Sequence, residues 1–525
     1  MKRMRSQPGI AAKIVASNAA FEERTFLATC EADRAAVIQQ AKKPSNKSNF
    51  LQIVAKPKRT ARGKAKAEPK LTRVAFKVSR LTEFCSEREL QNQTGHSVYD
   101  WPLVVGKEAV DNGLDACEEA EVAPNITIIV YTGTIIVQDN AGGIDIETIK
   151  SILDYTIRVS SREAYVSPTR GAQGNALKTI LAMSYVLNRK IGGDAGITII
   201  ETRGVKHRIE FRIDHINNQP RIVHTTAKSR IKVGTKLTIK WPPKQDDLLK
   251  YAVSDFKELI EAYAWFNPHL TLRGVWFGSE FIDVRATNPG WEKWRPRNPT
   301  SPHWYDELRL QRYLAAHVAR DRDLGRHRTV REFIAEFRGL SGTAVQRKVL
   351  GEVGCSHQSL AQFYGIKQVN RKGIAKLLVA MQKYSKPVDP KHLGIIGIEH
   401  LKERFLAAGG NIETFKYQYR KGTTTEGIPY NVEFAFGMHQ SGLSRDGVSV
   451  SRKFITGANW SAGINNPFRR FGSTGEGLES TLQKVRANAS QPVICALHLA
   501  CAHIQYVDRG KSSIILTDDA EQPDD

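Results

Sequence analysis

The chain has 525 residues, 41% of them hydrophobic, which is too long for one core and enough for about three domains. No run of roughly eighteen apolar residues occurs, which excludes a membrane-spanning helix. The formal net charge of +23 points to a polyanionic partner, and six cysteines without a CxxC pair exclude a zinc motif or a disulfide framework. About half of the excess charge lies in residues 1–75, with 17 Lys and Arg against 5 Asp and Glu. The stretch "KPKRTARGKAKAEPKLTR" has little to bury and is expected to be a disordered basic tether, able to hold phosphate backbones by charge alone. The first residues are basic but lack a continuous apolar run, so no secretory signal is expected. Reduced cysteines and the basic charge fit a cytoplasmic, nucleoid-associated protein, or a nuclear one.

Past the tether, Phe76–Gly95 reads as a short helix with polar flanks. The next helix contains "KEAVDNGLDACEEA", where Glu108, Asn112 and Asp115 fall at i, i+4 and i+7 and therefore form one polar stripe. Val104, Val105, Ala109, Val110, Leu114 and Ala116 form the stripe that can be buried. By itself such a polar stripe is more often a wet helix face than a site. "PNITIIVYTGTIIVQDNAGGI" predicts a hairpin around a Tyr-Thr-Gly turn, running into a glycine-rich stretch from Asp139 to Gly143. A helical segment follows, then "SSREAYVSPTRGAQGNALKTILAMSYVL", a polar loop ending in glycines and opening an apolar helix. That arrangement suits phosphate, because a helix N-terminus offers unpaired N–H groups. It is neither a Walker A loop nor a dinucleotide fingerprint, and alone it is equally a plain loop-to-helix joint. Strands are expected at "GITIIETRG", "HRIEFRID" and "GTKLTIKWP".

The order of these pieces carries more than any one of them. An acidic helix with Glu-x-x-x-Asn, a hairpin ending in Asp139, a glycine lid and then Gly234-Thr235 on a strand resemble the GHKL ATPase fold. The segments "AYAWFNPHLTL", "TVREFIAEFRGLSGTAVQRKVL", "PKHLGIIGIEHLKE", "VEFAFG" and "LHLACAHIQYVDRGKSSI" narrow the likeness to the B subunit of topoisomerase VI, over roughly residues 76–516. The resemblance implies an α+β multidomain fold: the extension 1–75, a strap and GHKL ATPase domain over 76–300, a helix-two-turns-helix domain over 301–405 and a transducer domain over 406–525.

The resemblance also assigns roles. Glu108 orients and polarises the attacking water, and Asn112 coordinates Mg²⁺, with Asp115 supporting the same face. Asp139 accepts a hydrogen bond from the adenine amino group, beside Gly143 and the strand residue Thr235. Gly171, Gln173, Gly174, Asn175, Ala176 and Lys178 form the phosphate lid. Lys511 is the transducer lysine that reaches the γ-phosphate. ATP and Mg²⁺ are the implied cofactors; DNA, a second copy of the chain and a DNA-cleaving A subunit are the implied partners. The arginines Arg320, Arg322, Arg326, Arg328 and Arg331 of the helical region are candidates for further DNA contacts.

Two glycines of the family pattern are alanine here: at Ala141 a positive φ would cost about 1 kcal/mol or more, and at Ala176 the lid has gained a methyl. Only "SSIILTDDAEQPDD" follows Lys511, too short for the family's long docking helix. Three readings stay open: the ATPase subunit of a topoisomerase VI-like complex, an ATP-gated DNA clamp without cleavage, and a nucleotide-binding protein that does not hydrolyse.

Overall fold

The computed structural model describes residues 86–153, 164–170, 176–214, 219–365, 368–440, 451–469, 477–507, 511 and 513–515. All of them lie in the compact unit Phe76–Asp525. The tether 1–75, residues 76–85 of the strap, and Gly171, Gln173, Gly174 and Asn175 of the lid lie outside the described residues.

Helix α1, Glu87–Thr94, starts where the Ser86 side chain accepts from the Glu89 N–H, and it stops at Gly95 in the left-handed conformation. Helix α2, Trp101–Glu119, carries the polar stripe read from the sequence. Its apolar side, including Val104, Val105, Val110 and Leu114, is buried. Gly106 lets Phe256 come so close that a Cβ there would stand 2.7 Å from the ring. The hairpin is β1 (Asn125–Tyr131) and β2 (Thr134–Gln138), turning at Gly133 with φ 64°. Helices α3 (Ile146–Ile152) and α4 (Ala176–Lys190) follow, then strands β3 (Gly196–Thr202), β4 (Val205–Asp214), β5 (Gln219–Lys228) and β6 (Thr235–Lys240). Helices α5 (Asp246–Tyr251) and α6 (Val253–Phe266) and strands β7 (Thr271–Trp276) and β8 (Ser279–Val284) complete this part.

These strands make one sheet in the order β5-β4-β3-β6-β2-β1-β7-β8. β1 runs parallel to β7, and every other neighbouring pair is antiparallel. Helices α2, α4 and α6 pack against it. Buried and half-exposed residues alternate along β3 and β4, as expected when one sheet face is covered and the other is wet.

A helical region comes next: α7 (Glu307–Asp323), α8 (Val330–Ala335), α9 (Thr343–Val353), α10 (Leu360–Tyr364), α11 (Arg371–Lys383) and α12 (Ile398–Ala407). Reciprocal side-chain caps at Thr329 and Ser359 start α8 and α10. Tyr305, Tyr313, His317, Phe333 and Phe337 pack edge to face in its core. Arg328 is buried here and bonds Asp321 at 3.0 Å and Glu336, so this one of the five arginines is not free for a DNA phosphate. Arg320, Arg322 and Arg326 are exposed.

The remaining strands are β9 (Lys416–Thr423), β10 (Pro429–Met438), β11 (Lys453–Ala458), β12 (Ser461–Ala462) and β13 (Val493–Cys501), with helix α13 (Leu478–Lys484) between β12 and β13. They form a second sheet in the order β12-β11-β13-β10-β9, with β11 and β13 parallel. Every residue of β13 is buried. Helix α6 touches β7 and β8 of the first sheet and β11 and β12 of the second. Gly457 of β11 lies against Phe266, where a Cβ would be 2.5 Å from the ring. One helix therefore touches both sheets and α2, and it links where the second sheet meets α2.

Candidate functional site

Two polar stripes run along α2, one residue apart. Asn112 is exposed and Glu108 half-exposed, so that part of the stripe faces solvent, while half-exposed Asp115 gives its carboxylate to the buried Arg170. Among the described residues the Asn112 amide makes no hydrogen bond, and Glu108 lies 3.7 Å from the Lys107 ammonium. The second stripe, Lys107, Asp111 and Glu118, is buried. Burying charges is costly unless each finds an opposite partner with good geometry, and here each does. Lys107 Nζ donates to Asp111 Oδ2 at 2.7 Å, and Asp111 also accepts from Tyr263 Oη at 2.8 Å and from Ser461 Oγ at 2.8 Å. Burial works against both charges, but their mutual attraction wins: the Lys107 ammonium is held well above its ordinary range and the Asp111 carboxyl below its own.

Arg170, at the end of the segment 164–170, is the centre of this cluster, and its side chain is fully buried. Its Nη1 donates to Asp115 Oδ1 at 2.7 Å and to Glu118 Oε2 at 2.8 Å; its Nη2 donates to Glu118 Oε1 at 2.7 Å and to Asn267 Oδ1 at 2.6 Å. Its Nε donates to the Trp460 carbonyl at 3.3 Å. The forked pair with Glu118 is the arrangement in which a guanidinium binds a carboxylate most firmly. Lys293 adds a contact to Glu118 at 2.7 Å and lies over the Trp460 ring. Despite its burial, the Glu118 carboxyl is therefore held well below the ordinary range by Arg170 and Lys293. Asp115 has a smaller share of Arg170, and there burial wins and raises its carboxyl.

Lys511, some four hundred positions from Glu108 in the chain, is brought to this face. Its Nζ donates to the Arg170 carbonyl. Burial and the Lys107 charge lower its ammonium, while the carboxylates of Glu108, Asp111 and Asp115 act in the opposite direction. It lines a small cleft together with His96, Lys107, Arg170, Ser461, Asn465 and Tyr506, a wall rich in cations and polar groups.

At the other end of α2, the Asp139 turn is clasped by backbone bonds. Asp139 Oδ1 accepts from the Ala141 N–H at 2.9 Å and the Thr235 N–H at 3.1 Å. Its Oδ2 accepts no hydrogen bond among the described residues. Gly113 of α2 packs on this carboxylate, where a Cβ would lie 3.4 Å from Asp139 Cβ. Burial raises the Asp139 carboxyl, against the two N–H donors that stabilise its charged form. Asn140 fixes the turn by accepting from Asn125 N at 2.8 Å and donating to the Ala123 carbonyl at 3.0 Å.

The two alanines that replace glycines carry no backbone strain. Positive φ falls at Gly143 (78°) and Gly234 (79°), not at Ala141, while Ala176 is the first residue of helix α4. A Cβ at Gly234 would sit 2.0 Å from the Asp139 carbonyl oxygen, and one at Gly143 would sit 2.5 Å from Thr202 Oγ1. Lys178 lies half-buried in the first turn of α4.

Thus Glu108, Asn112 and Asp115 share one face of α2, Lys511 lines a cleft with Lys107 of the same helix, and Thr235 at the start of β6 bonds the turn that holds Asp139 and Gly143. The sequence reading missed Arg170, Lys107, Asp111, Glu118, Lys293, Tyr263 and Asn267. Lys107 and Asp111 were visible as an i, i+4 pair inside the opening stretch. Nothing local marks Arg170 or Lys293, because their partners are distant in sequence.

No family model matches the chain. The B subunit of type 2 DNA topoisomerase 6 of Archaeoglobus fulgidus is 25% identical over 433 residues, covering 78% of this chain and 66% of that protein. The same subunit of Methanosarcina barkeri is 26% identical over 361 residues, covering 66% of this chain and 54% of that protein. The chain thus spans about half to two thirds of the length of these curated relatives. Among solved structures, the ATPase region of yeast topoisomerase II aligns over 79% of this chain and 76% of that chain, at a TM-score of 0.33 and 11% identity. By sequence, then, this chain is similar to the B subunits of type 2 DNA topoisomerase 6 along as much as 78% of its own length.

Proposed function

We propose that the chain binds and hydrolyses ATP as a subunit of a topoisomerase 6-like complex acting on DNA, with closure of two copies on nucleotide binding and strand cleavage left to a separate A subunit. The observation that carries this reading is that Lys511 lines one cleft with Lys107 of α2, the neighbour of Glu108, and bonds the Arg170 carbonyl there. A cation delivered by a second sheet gives that sheet a way to respond to the terminal phosphate.

The residues present suit the nucleotide. Asp139 has one oxygen tied to two backbone N–H groups and the other left to accept from an adenine amino group. Thr235 and Gly143 shape the turn beside it. Asn112 offers an exposed amide oxygen, a hard donor of the kind Mg²⁺ accepts while keeping water and phosphate oxygens as its other ligands. Bound Mg²⁺ would neutralise phosphate charge. Glu108, half-exposed one turn before Asn112, accepts a hydrogen from the attacking water and so orients it. Lys511 stabilises negative charge at the terminal phosphate. Gly171, Gln173, Gly174, Asn175, Ala176 and Lys178 form the phosphate lid in this reading.

Steady-state ATP hydrolysis with and without duplex DNA tests the proposal, using Glu108→Ala as the blank. Turnover that rises with DNA and disappears in Glu108→Ala, with binding of a fluorescent ATP analogue retained, is the expected result. Equal turnover in both proteins, or lost binding in the variant, removes Glu108 from this role. Binding without turnover in the wild type would favour the non-hydrolysing reading.

A further inference from the structure

Arg170 bonds two residues of the second-sheet region through different atoms, and both have unusual backbones. Trp460 and Lys511 are two of only seven non-glycine residues with positive φ among the described residues, at 61° and 57°. L-residues enter that region at a cost, so the surroundings must hold them there. The Trp460 carbonyl accepts from Arg170 Nε at 3.3 Å and from Asn267 Nδ2 at 3.0 Å, while its N–H donates to His498 Nε2 at 2.9 Å. The Lys511 ammonium donates to the Arg170 carbonyl.

The segment carrying Arg170 is itself fixed upstream. Val166 N donates to Tyr305 Oη at 3.0 Å, Thr300 Oγ1 donates to the Val166 carbonyl at 2.7 Å, and Tyr165 Oη donates to the Asn298 carbonyl at 2.8 Å. Residues 164–170 therefore bridge the start of the helical region, α2 and the second sheet. No other described side chain joins α2 to both Asn267 and the Trp460 turn while its own carbonyl receives Lys511.

We propose that Arg170 is a positioning residue for ATP turnover: its guanidinium, clamped by Glu118, Asp115 and Asn267, fixes the carbonyl that holds the Lys511 ammonium in the cleft beside Lys107 of α2. Arg170 acts through Lys511 and need not touch the nucleotide. The inference rests on the ATPase reading, and its test has one arm that does not. In that role the geometry of the fork matters as well as its charge, since one ammonium cannot hold four acceptors in a plane.

Arg170→Lys keeps the charge and removes the fork. Turnover should fall by roughly tenfold to a hundredfold with little change in KM, the scale on which small misplacements act. In a Lys511→Met background the same substitution should cost less than about twofold more, because its route of action is already gone. Equal fold-losses in both backgrounds would make Arg170 a purely structural residue and overturn the proposal. The second arm is hydrogen exchange without nucleotide. The bonded amides of Val507, Ile514 and Ile515 should exchange faster in Arg170→Lys, while those of β13 stay protected. Unchanged exchange at all three overturns the positioning role even if the wild type shows no ATPase activity, an outcome that would separately sink the functional reading. Glu118→Gln, which loosens the clamp at constant volume, should move both readouts in the same direction by less, and it decides the matter if Arg170→Lys does not fold.

Discussion

Asp139 serves the fold through one carboxylate oxygen and, in the proposed reading, the nucleotide through the other. Its Oδ1 accepts two backbone N–H groups and thereby ties the end of β2 to the start of β6. An asparagine oxygen can accept the same two bonds, so Asp139→Asn should leave the fold intact. Its amide nitrogen would then present a donor where the proposed adenine amino group also donates. Loss of one charge-assisted bond is worth about 1.5–3 kcal/mol, which is roughly a tenfold to hundredfold rise in Kd for ATP. Titration with a fluorescent ATP analogue, beside a thermal melt, checks both parts; unchanged affinity would take Asp139 out of the pocket. The candidate residues of α2 were readable because helical spacing groups them. The buried stripe one residue away was equally present in the sequence, but its meaning depends on Arg170, Lys293 and Tyr263, which the chain supplies from positions about 50 to 180 residues distant.

At the scale of the element, the turn from β2 to α3 explains why the altered glycine pattern is tolerated. The left-handed residues are Gly143 and Gly234, and Ala141 stands at a position that needs no special backbone. Gly234→Ala should therefore destabilise the protein by at least about 2 kcal/mol, from the left-handed penalty plus the clash with the Asp139 carbonyl. Ala141→Gly should neither raise turnover nor stabilise; it should lose up to about 1 kcal/mol by loosening the unfolded chain. Denaturant titration of the two variants decides it, and a stabilised Ala141→Gly would contradict this account. The hairpin and the strands β3, β4 and β6 follow from β-branched runs and alternation. Strand β5 does not, because "QPRIVHTTAK" places Pro220 where a strand needs an N–H. It is tolerated since β5 is the edge of the sheet and pairs on one side only.

At the scale of the molecule, one hydrophobic core among the described residues runs through both sheets and the helical region, and several histidines are buried with it. Burial lowers His317 and His400 to about 4 and His498 to about 3. His498 Nε2 accepts the Trp460 N–H, which requires the neutral ring. In the unfolded chain these rings titrate near 6.5. The unfolded state therefore takes up protons first as the pH falls. Stability is full above about 6.5 and is lost from there down towards about 4 for His317 and His400 and about 3 for His498, by on the order of 2 kcal/mol for each histidine at pH 5. The thermal midpoint should drop clearly between pH 7.5 and pH 5, and a midpoint that does not move would contradict the buried neutral rings.

The sequence alone determined the order of the elements, the polar stripe on α2, the hairpin ending at Asp139 and the likeness to topoisomerase VI B subunits, because these depend on local spacing and on collinear motifs. Tertiary structure alone decided which charges became buried partners, which residues took positive φ, and that Arg170 would bind α2, Asn267 and the Trp460 turn while holding Lys511. Those outcomes arise from long-range packing around α6. A buried charge chooses its partner by three-dimensional proximity and desolvation, and spacing along the chain does not encode either.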